Sequence, residues 1–204
     1  MKATQIFSTL VAAGLMAVSG SAFAADAAKV APTGTYNIDP VHSKVGFEIG
    51  HLVISTVEGK FNQFTGDIVA GKKPEATKTN VEIQTASIDT ANADRDKHLK
   101  SPDFFDAEKF PKMTFKSDKA VFNGSDVEIP GQLTIKGVTK PVTLKGKFLG
   151  TVKGMMGEER LAAQLGTKIN RKDFGLTWNK AIEAGPVVGD EVTISLRIEA
   201  VKKK

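Results

Sequence analysis

Apolar and polar residues alternate with a period of two over most of this chain. Val45, Phe47 and Ile49 alternate with Lys44, Gly46 and Glu48. Val142, Leu144 and Phe148 alternate with Thr143, Lys145 and Lys147, and Gly146 interrupts the apolar face. The cleanest run is Val192, Ile194, Leu196, Ile198 and Ala200, set between Glu191, Thr193, Ser195, Arg197 and Glu199. Successive side chains on a strand point to opposite faces, so each run predicts a strand with one dry and one wet face. Weaker runs predict strands over 81–85, 113–122, 133–135 and 161–169. One wet face per strand means antiparallel sheet rather than buried parallel sheet.

The breaks between runs are turn signals: Asn123-Gly124, Lys136-Gly137, Lys153-Gly154 and Gly185-Pro186. Between Phe61 and Ile68 the apolar set changes phase, with Phe61 on one parity and Phe64 and Ile68 on the other. That predicts a bulge or bend near Asn62-Gln63, the kind of kink barrels place at their corners. Only 92–100 reads as α-helix, stopped by Ser101-Pro102. About eight amphipathic strands have two sheet edges to hide. Closing the sheet into a barrel hides them completely and leaves room for one small ligand; a two-sheet sandwich is the competing solution. Periodicity alone does not separate the two.

The ends narrow the setting. Met1-Lys2 precedes an uncharged apolar run from Ile6 to Val18, and Ser21-Ala22-Phe23-Ala24 offers small residues where a signal peptidase reads. Residues 1–24 are expected to be a cleaved secretory signal, 25–34 a flexible lead-in, and 35–204 one domain. No second apolar run is long enough to cross a bilayer, so no stable membrane insertion is expected. The chain has no cysteine, which excludes disulfides, thiol catalysis and zinc–thiolate sites. Removal of Lys2 with the signal lowers the formal net charge from +5 to +4. Both signs are interspersed, and Lys202-Lys203-Lys204 reads as a solubilising end rather than a nucleic-acid arm. A homodimer is left open.

Catalytic signatures are missing: no Gly-x-Ser-x-Gly elbow, no His-Glu-x-x-His, no phosphate loop and no dinucleotide fingerprint. Asp39, His42 and Ser43 make a poor triad, because neighbours on a strand face opposite ways, and read better as a hydrogen-bonded cluster at a strand start. Asp94 and His98 share a helix face, and His51 could join them, but Arg95 beside them opposes a cation and the spacing matches no metal-ligand set. Neither a catalytic nor a metal residue is assigned, and no cofactor. The Phe residues follow the apolar parity instead of alternating with basic residues, which argues against nucleic acid.

The run from Ala86 to Phe115 combines a charged helical turn with Phe104-Phe105 and a strand start. Such mixed character suits the mouth of a cavity, where polar groups meet water and rings meet an apolar interior. The inward set could equally close a packed core, since a hollow barrel uses the same residue types. Gly66, Gly131, Gly146 and Gly166, on or near the inner parity, favour some space inside.

The chain resembles the YceI-like family of periplasmic, polyisoprenoid-binding, lipocalin-like proteins. The resemblance rests on Ile38-Asp39-Pro40-Val41-His42-Ser43-Lys44-Val45-Gly46-Phe47, His51-Leu52, Gly59-Lys60-Phe61-Asn62-Gln63-Phe64-Thr65-Gly66 and the 86–115 segment. Gly131-Gln132-Leu133-Thr134-Ile135-Lys136-Gly137-Val138-Thr139-Lys140-Pro141-Val142 and Asp173-Phe174-Gly175-Leu176 complete it. It implies an all-β, eight-stranded antiparallel lipocalin-like barrel with a short helix in one loop and an internal apolar cavity. The implied partner is an amphiphile with an isoprenoid or fatty-acyl tail, carried through the periplasm without chemistry. Phe47, Ile49, Phe61, Phe64, Phe104, Phe105, Phe115, Ile135 and Trp178 are expected to line the tail cavity, with His51, Arg95 and His98 at the mouth. Two alternatives stand beside the carrier: an enzyme acting on such a lipid through His51, His98 and Asp94 or Asp96, and a solid-cored stress-response barrel acting by protein contact.

Overall fold

The computed structural model describes residues 32–182 and 185–204. The expected signal at 1–24 and most of the lead-in (25–31) lie outside the described residues. In chain order the elements are β1 (Gly34–Ile38), β2 (Lys44–His51), β3 (Ser55–Phe61), β4 (Phe64–Ala70), β5 (Lys78–Gln84), β6 (Ile88–Asp89) and α1 (Ala93–Lys100). There follow β7 (Lys112–Ser117), β8 (Val121–Asn123), β9 (Asp126–Ile135), β10 (Val138–Lys153), β11 (Glu159–Asn170), β12 (Ala181–Ile182), β13 (Gly185–Pro186) and β14 (Val188–Lys202). Apart from the small β12–β13 ribbon, all strands join one antiparallel sheet.

Four staves of this sheet are broken in two, as β1/β2, β3/β4, β5/β6 and β7/β8, so the barrel has eight staves, each paired with the next in sequence. Closure comes from β14, which pairs with β11 on one side and with both parts of the first stave on the other. Tyr36 lies opposite Lys202, and Phe47 opposite Ile194. Closure joins the two ends of the main sheet and leaves only the short β6 and β8 and the start of β3 paired on one side, and the expected barrel, not the sandwich, is the fold.

The phase change at Asn62-Gln63 is a corner. β3 pairs with β2 and ends at Phe61; β4, two residues on, pairs with β1. The facing stave bends with it through a 3-10 turn at Thr85–Ser87, joined by Asn62 N–H to Ser87 O (3.0 Å) and Gln84 N–H to Gln63 O (2.9 Å). One extra residue at the bend shifts the phase, so both Phe61 and Phe64, three apart, stay buried.

Local chemistry accounts for α1. Asn92 caps it, its side chain accepting the Arg95 N–H at 3.0 Å, and Ser101 ends it. Asp94 and Asp96 lie in the first turn and Lys97, His98 and Lys100 in the last, each sign suited to the helix dipole. Asp89 holds the approach: its carboxylate accepts the Ala91 N–H (2.9 Å) and the Asn62 amide (3.0 Å), which keep it below the usual carboxylate range.

Some expectations need revision. Gly34–Ile38 forms a strand that two alternating apolar residues were too few to signal. The run 113–122 is broken after Ser117, whose hydroxyl reaches the carbonyls of Lys119 (2.8 Å) and Pro130 (2.6 Å). Gly185-Pro186 is β13 rather than a plain turn. The four glycines do not make the interior space: none lines the cavity. A Cβ at Gly131 would meet Lys116 O and the Phe115 ring at 2.5 Å, and one at Gly146 would meet Gln164 O at 1.9 Å. Those positions bring backbones and rings together instead of parting them.

Candidate functional site

Each stave contributes its dry parity to one internal cavity of about 540 Å3. Val45, Phe47 and Ile49 come from β2, Val81 and Ile83 from β5, Met113 and Phe115 from β7, Leu133 and Ile135 from β9. Val142, Leu144 and Phe148 of β10, Leu161 and Leu165 of β11, and Val192, Ile194, Leu196 and Ile198 of β14 complete the wall. The cavity runs from Ala70, Gly71 and Ala120 at one end to Trp178, His98 and His51 at the other. Its charged or titratable lining, His51, Asp94, Arg95, His98 and Arg171, belongs entirely to the second end. A wall this apolar rewards any nonpolar chain that fills it, with no need for directional contacts.

Eleven of the twelve expected binding residues line this space: Phe47, Ile49, His51, Phe61, Arg95, His98, Phe104, Phe105, Phe115, Ile135 and Trp178. Phe64 does not. It sits just past the corner, opposite Ile83, and is buried in the packed core, filling the bend instead of facing the hollow. The expectation of a solid-cored barrel fails on the same cavity.

At the charged end three rings form a cluster. His98 meets Phe104 and Trp178 edge-on, with centroids 5.0 and 4.9 Å away, and Phe104 and Trp178 lie 5.1 Å apart. Phe105 packs edge-on against Phe61 at 5.9 Å, tying the loop after α1 to the wall. That loop is held by its own backbone, through Phe105 N–H to Leu99 O (3.0 Å) and Ala107 N–H to Lys100 O (2.9 Å). Buried Thr85 anchors its far end at Phe110 O (2.9 Å).

Arg95 reaches inward from α1 but is partly committed: Nε donates to Thr90 Oγ1 and Nη2 to Thr90 O, both at 2.8 Å. Asp96 fixes Thr90 in turn, accepting its N–H (2.9 Å) and hydroxyl (2.5 Å). Among the described residues Nη1 of Arg95 has no protein partner. Each of the three histidines meets a neighbouring side chain. His98 Nε2 pairs with Asp103 at 2.8 Å on the surface, His51 Nδ1 lies 3.5 Å from Ser55 Oγ, and His42 Nδ1 pairs with Asp39 at 2.8 Å. Asp39, His42 and Glu199 do converge, their polar atoms within 4.8 Å. Arg160 Nη1 already bridges that cluster, 3.1 Å from Asp39 and 2.5 Å from Glu199, and supplies the positive charge a cation would.

Sequence reasoning missed Arg171. Its side chain is only 4% exposed and borders the cavity. Nε donates to Gly189 O (2.7 Å), Nη1 to the carbonyls of Leu176 and Trp178 (2.8 Å to the latter), and Nη2 to Asp190 (3.2 Å). Burial pulls its pKa below the ordinary arginine value, and Asp190 opposes that shift. Asn179 adds a second tie, exchanging hydrogen bonds with Val188 N and O at 3.2 and 2.7 Å. Gly175, with φ 75°, ends the preceding 3-10 turn in the left-handed region that favours glycine. Arg171 and Asn179 thus set the loop that presents Trp178. The available signal was parity: Leu161, Ala163, Leu165, Thr167 and Ile169 share the dry side, and Arg171 continues it.

With this geometry established, comparison with known proteins is specific. The YceI-like domain model matches residues 36–200. Protein YceI of Escherichia coli is 40% identical over 198 residues, 96% of each chain. The crystal structure of the Campylobacter jejuni YCEI protein shares 36% identity, covers 81% of this chain and 96% of that one, and superposes with a TM-score of 0.65. A polyisoprenoid binding domain from Saccharophagus degradans, 15% identical, has the same fold with a TM-score of 0.65 over 82% of this chain and 98% of its own. This chain belongs to the YceI-like family.

Proposed function

We propose that this protein is a periplasmic binding or carrier protein for an amphiphilic isoprenoid-type lipid, a polyprenyl or quinone-like compound, and performs no chemistry on it. The observation that carries the reading is the cavity, apolar along its length with titratable side chains confined to one end. Each buried methylene contributes about 0.8 kcal/mol, so a prenyl or acyl tail gains its affinity from the wall alone. A head group with hydrogen-bond acceptors fits the other end, where Arg95 Nη1, His51 and His98 stand at the rim. The Saccharophagus relative, a polyisoprenoid binding domain of the same fold, supports the ligand class. The leader features of residues 1–24 support export, which such a ligand requires if it is to cross an aqueous compartment.

Native mass spectrometry of the protein purified from a bacterial periplasm tests this reading. The expected result is a stoichiometric added mass that extracts into organic solvent as a prenyl lipid. A protein that stays unliganded after incubation with quinones and polyprenols would overturn it.

A further inference from the structure

The turn between β2 and β3 is bare. Val53 is 72% exposed and Ile54 87% exposed, and no charge occurs from Leu52 to Val57. Its backbone is held, not loose. Leu52 and Val53 have φ values of 52° and 65°, a region in which a β-branched residue is an outlier. Leu52 N–H is fixed to Val187 O at 3.0 Å and Ile54 N–H to His51 O at 3.3 Å. Strain of this kind persists only where surrounding structure enforces it, and it concentrates at functional sites. Folding does not need aliphatic side chains at this tip, because neither Val53 nor Ile54 belongs to the core cluster.

Position gives the tip its meaning. His51 before it, Val57 after it and Val187 beside it all line the cavity, so the tip stands on the rim of the charged end. The tip itself carries no charge and turns Val53 and Ile54 outward, which makes it the aliphatic part of an end whose other exposed groups are mostly polar. We infer that the Leu52–Ile54 tip inserts into the surface of a lipid bilayer and sets the cavity mouth against the membrane, where a lipid can pass between bilayer and barrel. This rests on the reading of the cavity as a lipid site. The contact is apolar and small, so it is reversible and only weakly salt-dependent.

Vesicle flotation with phosphatidylcholine liposomes, run at low and high salt, tests the inference on wild type, Ile54→Asp and Met156→Asp. Met156 is a matched control, an exposed apolar residue in the β10–β11 turn and absent from the cavity wall. Wild type and Met156→Asp should float alike at both salt concentrations, and Ile54→Asp should partition at least tenfold less. Loading with ubiquinone added without vesicles, followed by native mass spectrometry, should be unchanged in Ile54→Asp. Equal flotation of Ile54→Asp and wild type overturns the inference, as does an equal loss in Met156→Asp. So does a finding by light scattering that Ile54→Asp only dissociates a dimer while vesicle binding persists. Wild type that loads ubiquinone but never floats refutes the tip and leaves the cavity reading intact. Tip-dependent flotation without ubiquinone loading sustains the tip and refutes the cavity reading.

Discussion

The two ends of the barrel are built by different physics. Away from the mouth, where β14 meets β1, the seam is closed by charge. Tyr36, fully buried, donates its hydroxyl to Glu159, and Arg160 gathers Asp39, Glu158 and Glu199. The network is self-satisfied: the Tyr36 hydroxyl is pushed up by burial and by Glu159, while hydrogen bonds first from His42 to Asp39 and from Arg160 to Glu158 hold those carboxyls down. At the mouth, rings meet edge-on, one arginine is tied to carbonyls, Arg95 keeps a donor free, and Val53 carries backbone strain of order 1–3 kcal/mol. The seam uses its polar groups to finish the fold. The mouth leaves polar and apolar groups uncommitted, which a receiving site needs and a closed joint does not.

The largest test of that contrast is Arg171→Met. It keeps the side-chain length but leaves the carbonyls of Leu176, Trp178 and Gly189 without their donor in a buried place. A loss of about 3–5 kcal/mol is expected, with Trp178 released from its ring cluster and ligand loading lowered as well. Chemical denaturation and the Trp178 fluorescence read this out; an unchanged midpoint would remove Arg171 from its positioning role. Next is Phe115→Asp, which sets a carboxylate in the middle of the wall. Lipid occupancy should fall by about a hundredfold or more while circular dichroism still reports a β-barrel, since a charged group opposes an apolar tail far more than it opposes a water-filled space. Full retention of lipid would show that the tail lies elsewhere.

The smallest effect belongs to the seam. Asp39, Glu158 and Glu159 titrate below the ordinary carboxylate range in the folded state. Their stabilisation is therefore present above the unfolded carboxylate values, near pH 4, and is lost as pH falls through the lower folded values. Melting temperature should be flat from about pH 7 to pH 5 and fall below about pH 4. Asp39→Asn should make that acid limb shallower without altering ligand loading at neutral pH. A change in loading would mean that the two ends are coupled.

Much of the site was legible because a strand converts parity into position. Phe47, Ile49, Phe115 and Ile135 could be assigned to the inside from alternation, and the helix at 92–100 from its stop at Ser101-Pro102. Phe64 shows where this stops: it carries the right parity but sits at a corner, and parity does not tell a packed bend from an open wall. Arg171 shows the opposite failure, a charge on the dry parity whose partners are backbone carbonyls up to 18 residues away. Gly131 and Gly146 looked like room inside and are contact points between backbones.

The sequence by itself determined the alternating strands, their turns, the short helix and the segregation of apolar from charged residues, because these depend on neighbours within a few positions. Family membership followed from motifs in order along the chain. Only the tertiary structure decided that the sheet closes through β14 on both halves of the first stave, that the interior is hollow, and that its charged groups collect at one end with the aliphatic tip beside them. Those outcomes depend on how eight staves bend and register against each other, and that is set by contacts between residues far apart in the chain.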